Sequence, residues 1–548
     1  MSVSRVAPVV SLLVYLSLVT WLTWPLALHA GSHLPVTWGA CRFDLPMTVS
    51  VLAHQSRALA GDWSSFTEPM AYHPTPHALF CGEAGVGALP YFMPLFLLSG
   101  NPALASNLTF LGAIALTAWA LHRVVVRWTG EELAGLMAGC TFLGTRWVLW
   151  TWVPSVPNYA VLFYFPFLLS RVAEPRVGVR NILMVGALVG LQGLSTIYLA
   201  IPLGLGLGVL ALARIVRPAT RRAGLELLAA LALAGCVLFV ANVGHLLVAA
   251  SAPGGSLESP WAFGRGFGMR LPEGLLGADA PLGIPLVLLL LIGVGGLLAA
   301  GARWEPRQYL TAWRQGTFWV TVGVLASLPP RVSFFGLPVV IGPLSVQTWI
   351  PALRRTDRMS VVGLFGIAIL AGAAFAQCAR HPRALPVGGA AAPFALAVAL
   401  LGAGFAQFQS GYGVPRSLAF GPLPQSYPIE PAISPTSAVV EALAAIPSGP
   451  LLELPATGGP AGRPDPTANA AAMYRAIFRR RPLLNGYTGF YPVGFADRMS
   501  HAARLPDPEA LAWLRRETGL TTILVRTTEF GRDARIACAA LTAAGAQP

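Results

Sequence analysis

The chain of 548 residues contains no lysine, so all 37 of its basic residues are arginine. A codon preference accounts for that absence without any chemical need for guanidinium, and no function is drawn from it. Charge of either sign is scarce too. Only 11% of residues are charged, where soluble globular chains run near a quarter, and this excludes an ordinary soluble enzyme. No Gly-x-y period organises the 58 glycines and 47 prolines, which excludes a collagen-like chain, and apolar residues at 55% are too plentiful for disorder. What the chain has instead is repeated apolar runs of about twenty residues, the thickness of a bilayer, under a mean hydropathy of +0.62. It reads as a polytopic membrane protein. A net charge of +14 would hint at nucleic acid in a soluble chain; here it is read as topology, and no nucleic-acid partner is expected.

The first apolar run, residues 7–30, follows Arg5, is long and Trp-rich, and has no small-x-small site at its end, so it predicts a spanning helix rather than a cleaved signal. Residues 31–85 form a polar outer loop. Residues 86–98 are too few to cross and hold Pro90 and Pro94, which predicts an interfacial or re-entrant segment. Further spans are predicted over residues 102–126, 133–150, 159–172, two within 181–215 with a turn near Ser195 to Tyr198, 225–250, 282–302, 317–328, 359–377 and 391–409, about eleven in all. This threading gathers Arg123, Arg127, Arg176, Arg217, Arg307 and Arg380 on one side. Cytoplasmic loops collect such residues, so the amino terminus is expected inside and the carboxy terminus outside, in a plasma (inner) membrane.

From residue 411 the pattern becomes that of a soluble domain. Residues 436–445, 468–480 and 508–519 have helical spacing, and residues 450–454 and 520–525 look like strands. The expected fold is an all-α polytopic membrane domain over residues 1–410 with a small extracytoplasmic α/β domain over residues 411–548.

The first outer loop carries the best chemical candidates. Asp44 stands just ahead of an amphipathic helical pattern at residues 46–60, where it serves as an ordinary helix cap, as a general base, or as both. Asp62, Glu68, Glu83, His73 and His77 follow. A divalent metal site is conceivable from these types, but His-x-x-x-His on a proline-broken loop does not put both rings on one face. In an oxidising compartment Cys41 and Cys81 would pair and close the loop. The sequon at Asn107 opens a span and is discounted.

One cluster departs from the charge rule. Arg354, Arg355 and Arg358 fall on the outer side before a span, where they either anchor to headgroups with Asp357 as partner or grip a phosphate through bidentate hydrogen bonds. The apolar stretch before them, residues 334–343, is suited to lie along the membrane surface. Trp147, Trp150 and Trp152 fit an interfacial belt, or stacking on a sugar.

An amino-terminal span, a long outer loop with the early Asp44, Tyr72-His73-Pro74, Glu83, Gly100-Asn101-Pro102, the late outer arginines and a terminal segment with Leu452-Glu-Leu-Pro455 and Asn485-Gly-Tyr487 together resemble the GT-C superfamily of lipid-linked-sugar-dependent membrane glycosyltransferases. The resemblance covers most of the chain in order, through short motifs. It implies sugar transfer from a polyprenyl-phosphate-linked donor to a hydroxyl of a glycan, lipid or protein acceptor, with inversion. Asp44 would be the base; Arg354, Arg355 and Arg358, with Glu83 and His73, would bind substrate; no resident cofactor is implied. Asp44 stands alone where some members carry an adjacent acidic pair, which leaves metal use and the identity of the base open. A transporter or flippase for a lipid-linked saccharide would use the same arginines without chemistry, and a non-catalytic cell-envelope assembly protein is a third reading. Most ionisable residues sit at helix ends and no clear inverted repeat is visible, which favours an enzyme.

Overall fold

The computed structural model describes residues 7–252, 308–380 and 426–547, less short stretches at 84, 146, 335–336, 351–352, 354, 459–462, 531–533 and 546. Helix α1 (Ala7–Leu22) stops short of the predicted run because Pro25 cannot continue it, and turns lead instead to strand β1 (His33–Pro35). Helix α2 (Asp44–Ala60) occupies the outer loop. Helix α3 (Leu89–Ser99) has eleven residues and rises about 16 Å, too little to cross. Gly100, at φ 66°, closes α3, and the Asn101 side chain then caps helix α4 (Pro102–Thr129) by accepting the Leu104 N–H at 3.0 Å. The Gly-Asn-Pro motif is therefore a stop and a start in three residues. Asn107 is buried and donates to the carbonyls of Ala30 and His33 at 2.8 and 2.7 Å, so the sequon pins the root of the outer loop.

The next two predicted spans are broken helices. Helix α5 (Glu132–Leu143) ends at Gly144. A π turn (Trp147–Thr151), helix α6 (Trp152–Ser155) and a 3-10 turn (Pro157–Ala160) then carry the chain to helix α7 (Tyr164–Val172). Pro154 and Pro157 each remove a backbone donor from this stretch, and irregular backbone is tolerated there because protein surrounds it. Helices α8 (Val179–Ser195) and α9 (Ile197–Ile215) divide at Thr196, whose hydroxyl accepts the Tyr198 N–H at 3.2 Å. Helices α10 (Arg221–Ala250), α11 (Gln308–Ser327) and α12 (Val361–Arg380) complete the described bundle. Among the described residues four helices, α4, α9, α10 and a helical stretch from Thr356 through α12, are long and apolar enough to cross a membrane by length and composition. The crossings predicted at 282–302 and 391–409 lie outside the described residues.

Close packing of α11 on α12 depends on glycine. A Cβ on Gly323 would stand 2.4 Å from the Gly363 nitrogen and 2.6 Å from its Cα, so the two backbones touch there. Between these helices lies a hairpin of strands β2 (Arg331–Phe334) and β3 (Leu337–Val340).

After the undescribed stretch the chain first returns to the bundle. Strand β4 (Ile429–Pro431) pairs antiparallel with β1, and Tyr427 is buried with its hydroxyl donating to the Leu149 carbonyl at 2.6 Å. Then follow helix α13 (Ser437–Ala444), strand β5 (Leu451–Leu454), a short ladder of β6 (Thr457–Gly458) and β7 (Arg463–Pro464), helices α14 (Pro466–Arg479), α15 (Phe495–Ala503) and α16 (Pro508–Thr518), and strand β8 (Thr522–Val525). Strands β5 and β8 run parallel, with Leu451 opposite Thr522 and Leu454 opposite Val525. Glu453, buried on β5, is met by Arg475 and Arg479 from α14, as a buried carboxylate requires.

Buried apolar side chains form two main clusters. One fills the bundle. The other gathers Leu452, Met473, Phe495 and Leu514, and it also takes in Ala71, Tyr72 and Ala78 of the first outer loop. Main-chain bonds make the seam firm: Tyr72 N–H to the Asn485 carbonyl at 3.1 Å, His73 N–H to that of Leu483 at 2.9 Å, and Leu483 N–H to that of Met70 at 2.7 Å.

Candidate active site

Asp44 is the first residue of α2, not its cap. The capping position is Phe43 and makes no side-chain bond, so the Asp44 carboxylate is not spent on capping and lies in the first turn, where the helix dipole favours negative charge. It accepts a hydrogen bond at 3.0 Å from the Tyr487 hydroxyl, which arrives from the carboxy-terminal elements. Tyr487 is 2% exposed, with the Phe43 ring edge-on at 5.5 Å. Asn485 explains how a turn-like triplet reaches so far. Its side chain bonds both the N–H and the carbonyl of Glu453, at 2.8 and 2.9 Å, so the triplet is clamped to β5 and its tyrosine is aimed at the first loop.

The arginines divide. Arg355 makes a bidentate pair with Asp357 at 2.9 and 2.7 Å, and its guanidinium lies 4.7 Å from the Trp152 ring centroid. Arg358 makes no ion pair closer than 4.0 Å among the described residues. Its Nη1 donates to the Tyr159 hydroxyl at 2.8 Å, and its buried Nε has no hydrogen-bond partner there. Three rings surround it, Trp152 at 4.1 Å, Tyr198 at 5.0 Å and Tyr159 at 5.6 Å from their centroids. The charge of Asp44 acts on Arg358. Arg354 lies outside the described residues.

Glu83 belongs to this cluster through a relay. One carboxylate oxygen accepts the Ile197 N–H at 2.7 Å, at the amino end of α9, and the other accepts from the Tyr159 hydroxyl at 3.2 Å, the same hydroxyl that receives Arg358. Burial pushes the Glu83 carboxyl above the usual carboxylate range, although Thr196, Ile197, Arg358 and Tyr159 all pull it down. Its loop is held tightly. Gly85 sits at φ 60°, and a Cβ there would stand 1.6 Å from the Asn158 amide nitrogen.

His73 is set apart from this group. Its Nε2–H donates to the Thr518 carbonyl at 3.2 Å, at the end of α16, and burial lowers its pKa. His77 pairs with Glu68 at 2.7 Å, and Asp62 caps its own turn through the Ser64 N–H at 3.1 Å. Among the described residues no three His, Cys, Asp or Glu side chains gather as metal ligands. The disulfide expectation is corrected. Cys41 and Cys81 are both free and buried: Cys41 turns into the bundle beside Ser155 Oγ at 3.3 Å, whereas Cys81 lies in the turn whose carbonyl receives the Phe490 N–H. Burial pushes the Cys81 thiol up to about 12. Trp147, Trp150 and Trp152 are likewise buried and do not form a lipid-facing belt; Trp152 is the floor beneath Arg355 and Arg358.

Four aromatic residues given no role from the sequence complete the site: Tyr159, Tyr198, Tyr487 and Trp38, whose ring centroid lies 6.0 Å from the Arg355 guanidinium. Tyr487 had a signal, since it ends the quoted Asn-Gly-Tyr triplet. Tyr159 and Tyr198 lie in apolar stretches where an aromatic ring is unremarked, and Trp38 lies in the first outer loop outside any quoted motif.

No family model matches the sequence, and no curated protein matches it. Solved structures do. The chain is similar over 96% of its length to the arabinofuranosyltransferase AftD from Mycobacteria, with a TM-score of 0.55 at 16% identity, and spans 37% of that protein. The archaeal oligosaccharyltransferase AglB from Archaeoglobus fulgidus, in complex with an inhibitory peptide and a dolichol-phosphate, is similar over 98% of this chain and 72% of its own, with a TM-score of 0.47 at 9% identity. ArnT from Cupriavidus metallidurans, bound to undecaprenyl phosphate, gives 95% and 90% with a TM-score of 0.43 at 15% identity. The likeness to AftD shows the fold alone: this chain is mostly helical and shares that structure's architecture over the covered length.

Proposed function

We propose that the chain is a membrane glycosyltransferase that moves a sugar from a polyprenyl-phosphate-linked donor to an acceptor hydroxyl on a glycan, lipid or protein. The observation that carries this reading is a carboxylate outside any cap, Asp44, whose charge acts on Arg358, a cationic group in an aromatic-walled site whose Nε–H has no hydrogen-bond partner among the described residues. In the reaction Asp44 takes the acceptor proton as the hydroxyl oxygen attacks the anomeric carbon. The bond from that carbon to the carrier phosphate oxygen breaks, and the phosphate leaves with the electron pair. Attack opposite the leaving group inverts the centre. Arg358 meets the charge developing on the phosphate, with Arg355, and Arg354 beside it in sequence, as further donors. Glu83 acts through Tyr159 to hold Arg358 in place, and His73 ties the loop to the carboxy-terminal elements. The polyprenyl-phosphate carriers named with AglB and ArnT belong to those proteins; the phosphate chemistry of this site is what brings the same class of donor here.

The proposed setting is the plasma membrane, with about eleven spans, the amino terminus inside and residues 411–548 forming an extracytoplasmic α/β domain whose Tyr487 reaches the site. Asp44→Asn, assayed for sugar transfer in membranes supplied with lipid-linked donor, tests the reading. Loss of turnover with donor binding intact is expected. Retained turnover removes the base assignment, and donor transport without transfer in the parent chain supports a flippase instead.

A further inference from the structure

The excursion between α11 and α12 contains a surface the proposed chemistry does not use. Residues 337–350, Leu-Pro-Val-Val-Ile-Gly-Pro-Leu-Ser-Val-Gln-Thr-Trp-Ile, include no charged side chain. All four residues of β3 are exposed, Leu337 at 71%, Val339 at 47% and Val340 at 72%, and Leu344 beyond them is 73% exposed. Successive side chains of a strand point to opposite faces, so both faces of this apolar strand are bare. An isolated two-stranded hairpin is marginally stable at best in water. Among its described side chains only Val332, at 4% exposure, is buried against the protein.

The hairpin is nevertheless firmly rooted. The N–H groups of Ile341 and Gly342 both donate to the Pro330 carbonyl, at 2.9 and 3.1 Å, and Ser345 donates to that of Leu328 at 2.8 Å. Thr356 closes the neck by donating to the Ser327 carbonyl at 3.1 Å. The excursion thus leaves and rejoins the bundle at one end of two packed apolar helices, the end that carries Arg355 and Arg358. Bare apolar surface that leads directly into α12, a helix long and apolar enough to cross a membrane, has one solvent that suits it.

We infer that the β2–β3 hairpin is a membrane wedge that inserts Leu337, Val339 and Val340 into the acyl region of the leaflet whose headgroups face Arg355 and Arg358. The partner is the lipid surface itself. Arg331, exposed at the foot of β2, stays at headgroup level, as arginine does beside an inserted apolar segment. The wedge sets the depth of the arginines relative to the bilayer, and it does so whether or not the chain transfers sugar.

The test places a nitroxide on Leu337→Cys and, separately, on Val340→Cys. The background is the full chain with Cys236, Cys378 and Cys538 replaced by serine, reconstituted in vesicles of palmitoyl-oleoyl phosphatidylethanolamine and phosphatidylglycerol. The unmodified background controls for labelling of the remaining thiols, and Glu509→Cys, at a highly exposed position of α16, reports water. Power saturation is expected to show oxygen relaxing the two hairpin labels more than the water-soluble nickel chelate NiEDDA does, with the opposite order at residue 509. Preference for the nickel chelate at Leu337 and Val340 overturns the wedge. Protection from both reagents together with dipolar broadening between labels also overturns it, because a second copy of the chain then covers the hairpin.

Discussion

Removing the Tyr487 hydroxyl is the sharpest test of how the two ends of the chain build one site. Tyr487→Phe keeps the ring, its edge contact with Phe43 and its burial, and deletes only the donor that stands 3.0 Å from Asp44. A hydrogen bond to a charged group contributes about 1.5 to 3 kcal/mol. At 1.36 kcal/mol per pH unit this corresponds to roughly 1 to 2 units. The direction follows from which form the bond favours. The hydroxyl stabilises the ionised carboxylate, so without it Asp44 takes up its proton at higher pH, and the acidic limb of kcat/KM moves upward by that amount. The assay is sugar transfer in proteoliposomes across the acid range, with Asp44→Asn as the baseline. At pH well above the limb the variant recovers parental kcat/KM, because Tyr487 acts through Asp44 and touches no substrate. An unmoved limb, or a loss equal at every pH, refutes the reasoning even if Asp44→Asn is inactive.

Three further outcomes are expected. Arg358→Lys keeps the charge but loses the planar fork and its seat among three rings, and lowers kcat/KM for the lipid-linked donor by about 10- to 100-fold, while Arg355→Lys, whose fork is engaged by Asp357, costs less. Gly323→Ala drives a methyl into the Gly363 backbone, which cannot step aside, and lowers the melting temperature in detergent by an amount corresponding to about 1 to 3 kcal/mol; Gly112→Ala, with nothing within 4 Å of its Cβ, leaves it unchanged or raised. Glu83→Gln tests the buried carboxyl. Because burial holds the Glu83 pKa above its unfolded value, the stability it contributes is present below the unfolded value and is lost as pH rises through the folded one. The melting temperature of the glutamine variant relative to the parent therefore rises with pH across that window, and a constant difference refutes the assignment.

What was legible in the sequence is what local chemistry determines. Gly100-Asn101-Pro102 reads as a helix boundary because a left-handed glycine, a side-chain cap and a first-turn proline need no distant partner, and Thr196 marks a break between two apolar runs for the same reason. The three helices and two strands predicted after residue 436 also lie within two residues of their expected ends, since their periodicities are those of half-buried elements, whereas α15 was not foreseen. The apolar runs at 133–150 and 159–172 failed as continuous spans. Hydropathy records how apolar a segment is but not whether lipid or protein surrounds it, and only the second permits the irregular backbone that puts Trp152 and Tyr159 around Arg358.

The candidate site divides along the same line. Asp44, Glu83, Arg355 and Arg358 were visible because a charge in an apolar chain demands a reason. Tyr159 was not singled out and Tyr487 stood only in a quoted triplet with no role, since a phenol is amphipathic and its role depends on what its hydroxyl meets. Asp44 and Tyr487 are 443 residues apart. Their meeting depends on main-chain bonds from Met70, Tyr72 and His73 to the stretch around Leu483 and Asn485, which no side-chain pattern encodes. The first outer loop is therefore the part of the chain on which both units rest. It contributes Ala71, Tyr72 and Ala78 to the carboxy-terminal core and Asp44 to the site, so a substitution that loosens the seam, such as Asn485→Ala at the β5 clamp, should weaken catalysis through Tyr487 before it disturbs the membrane helices.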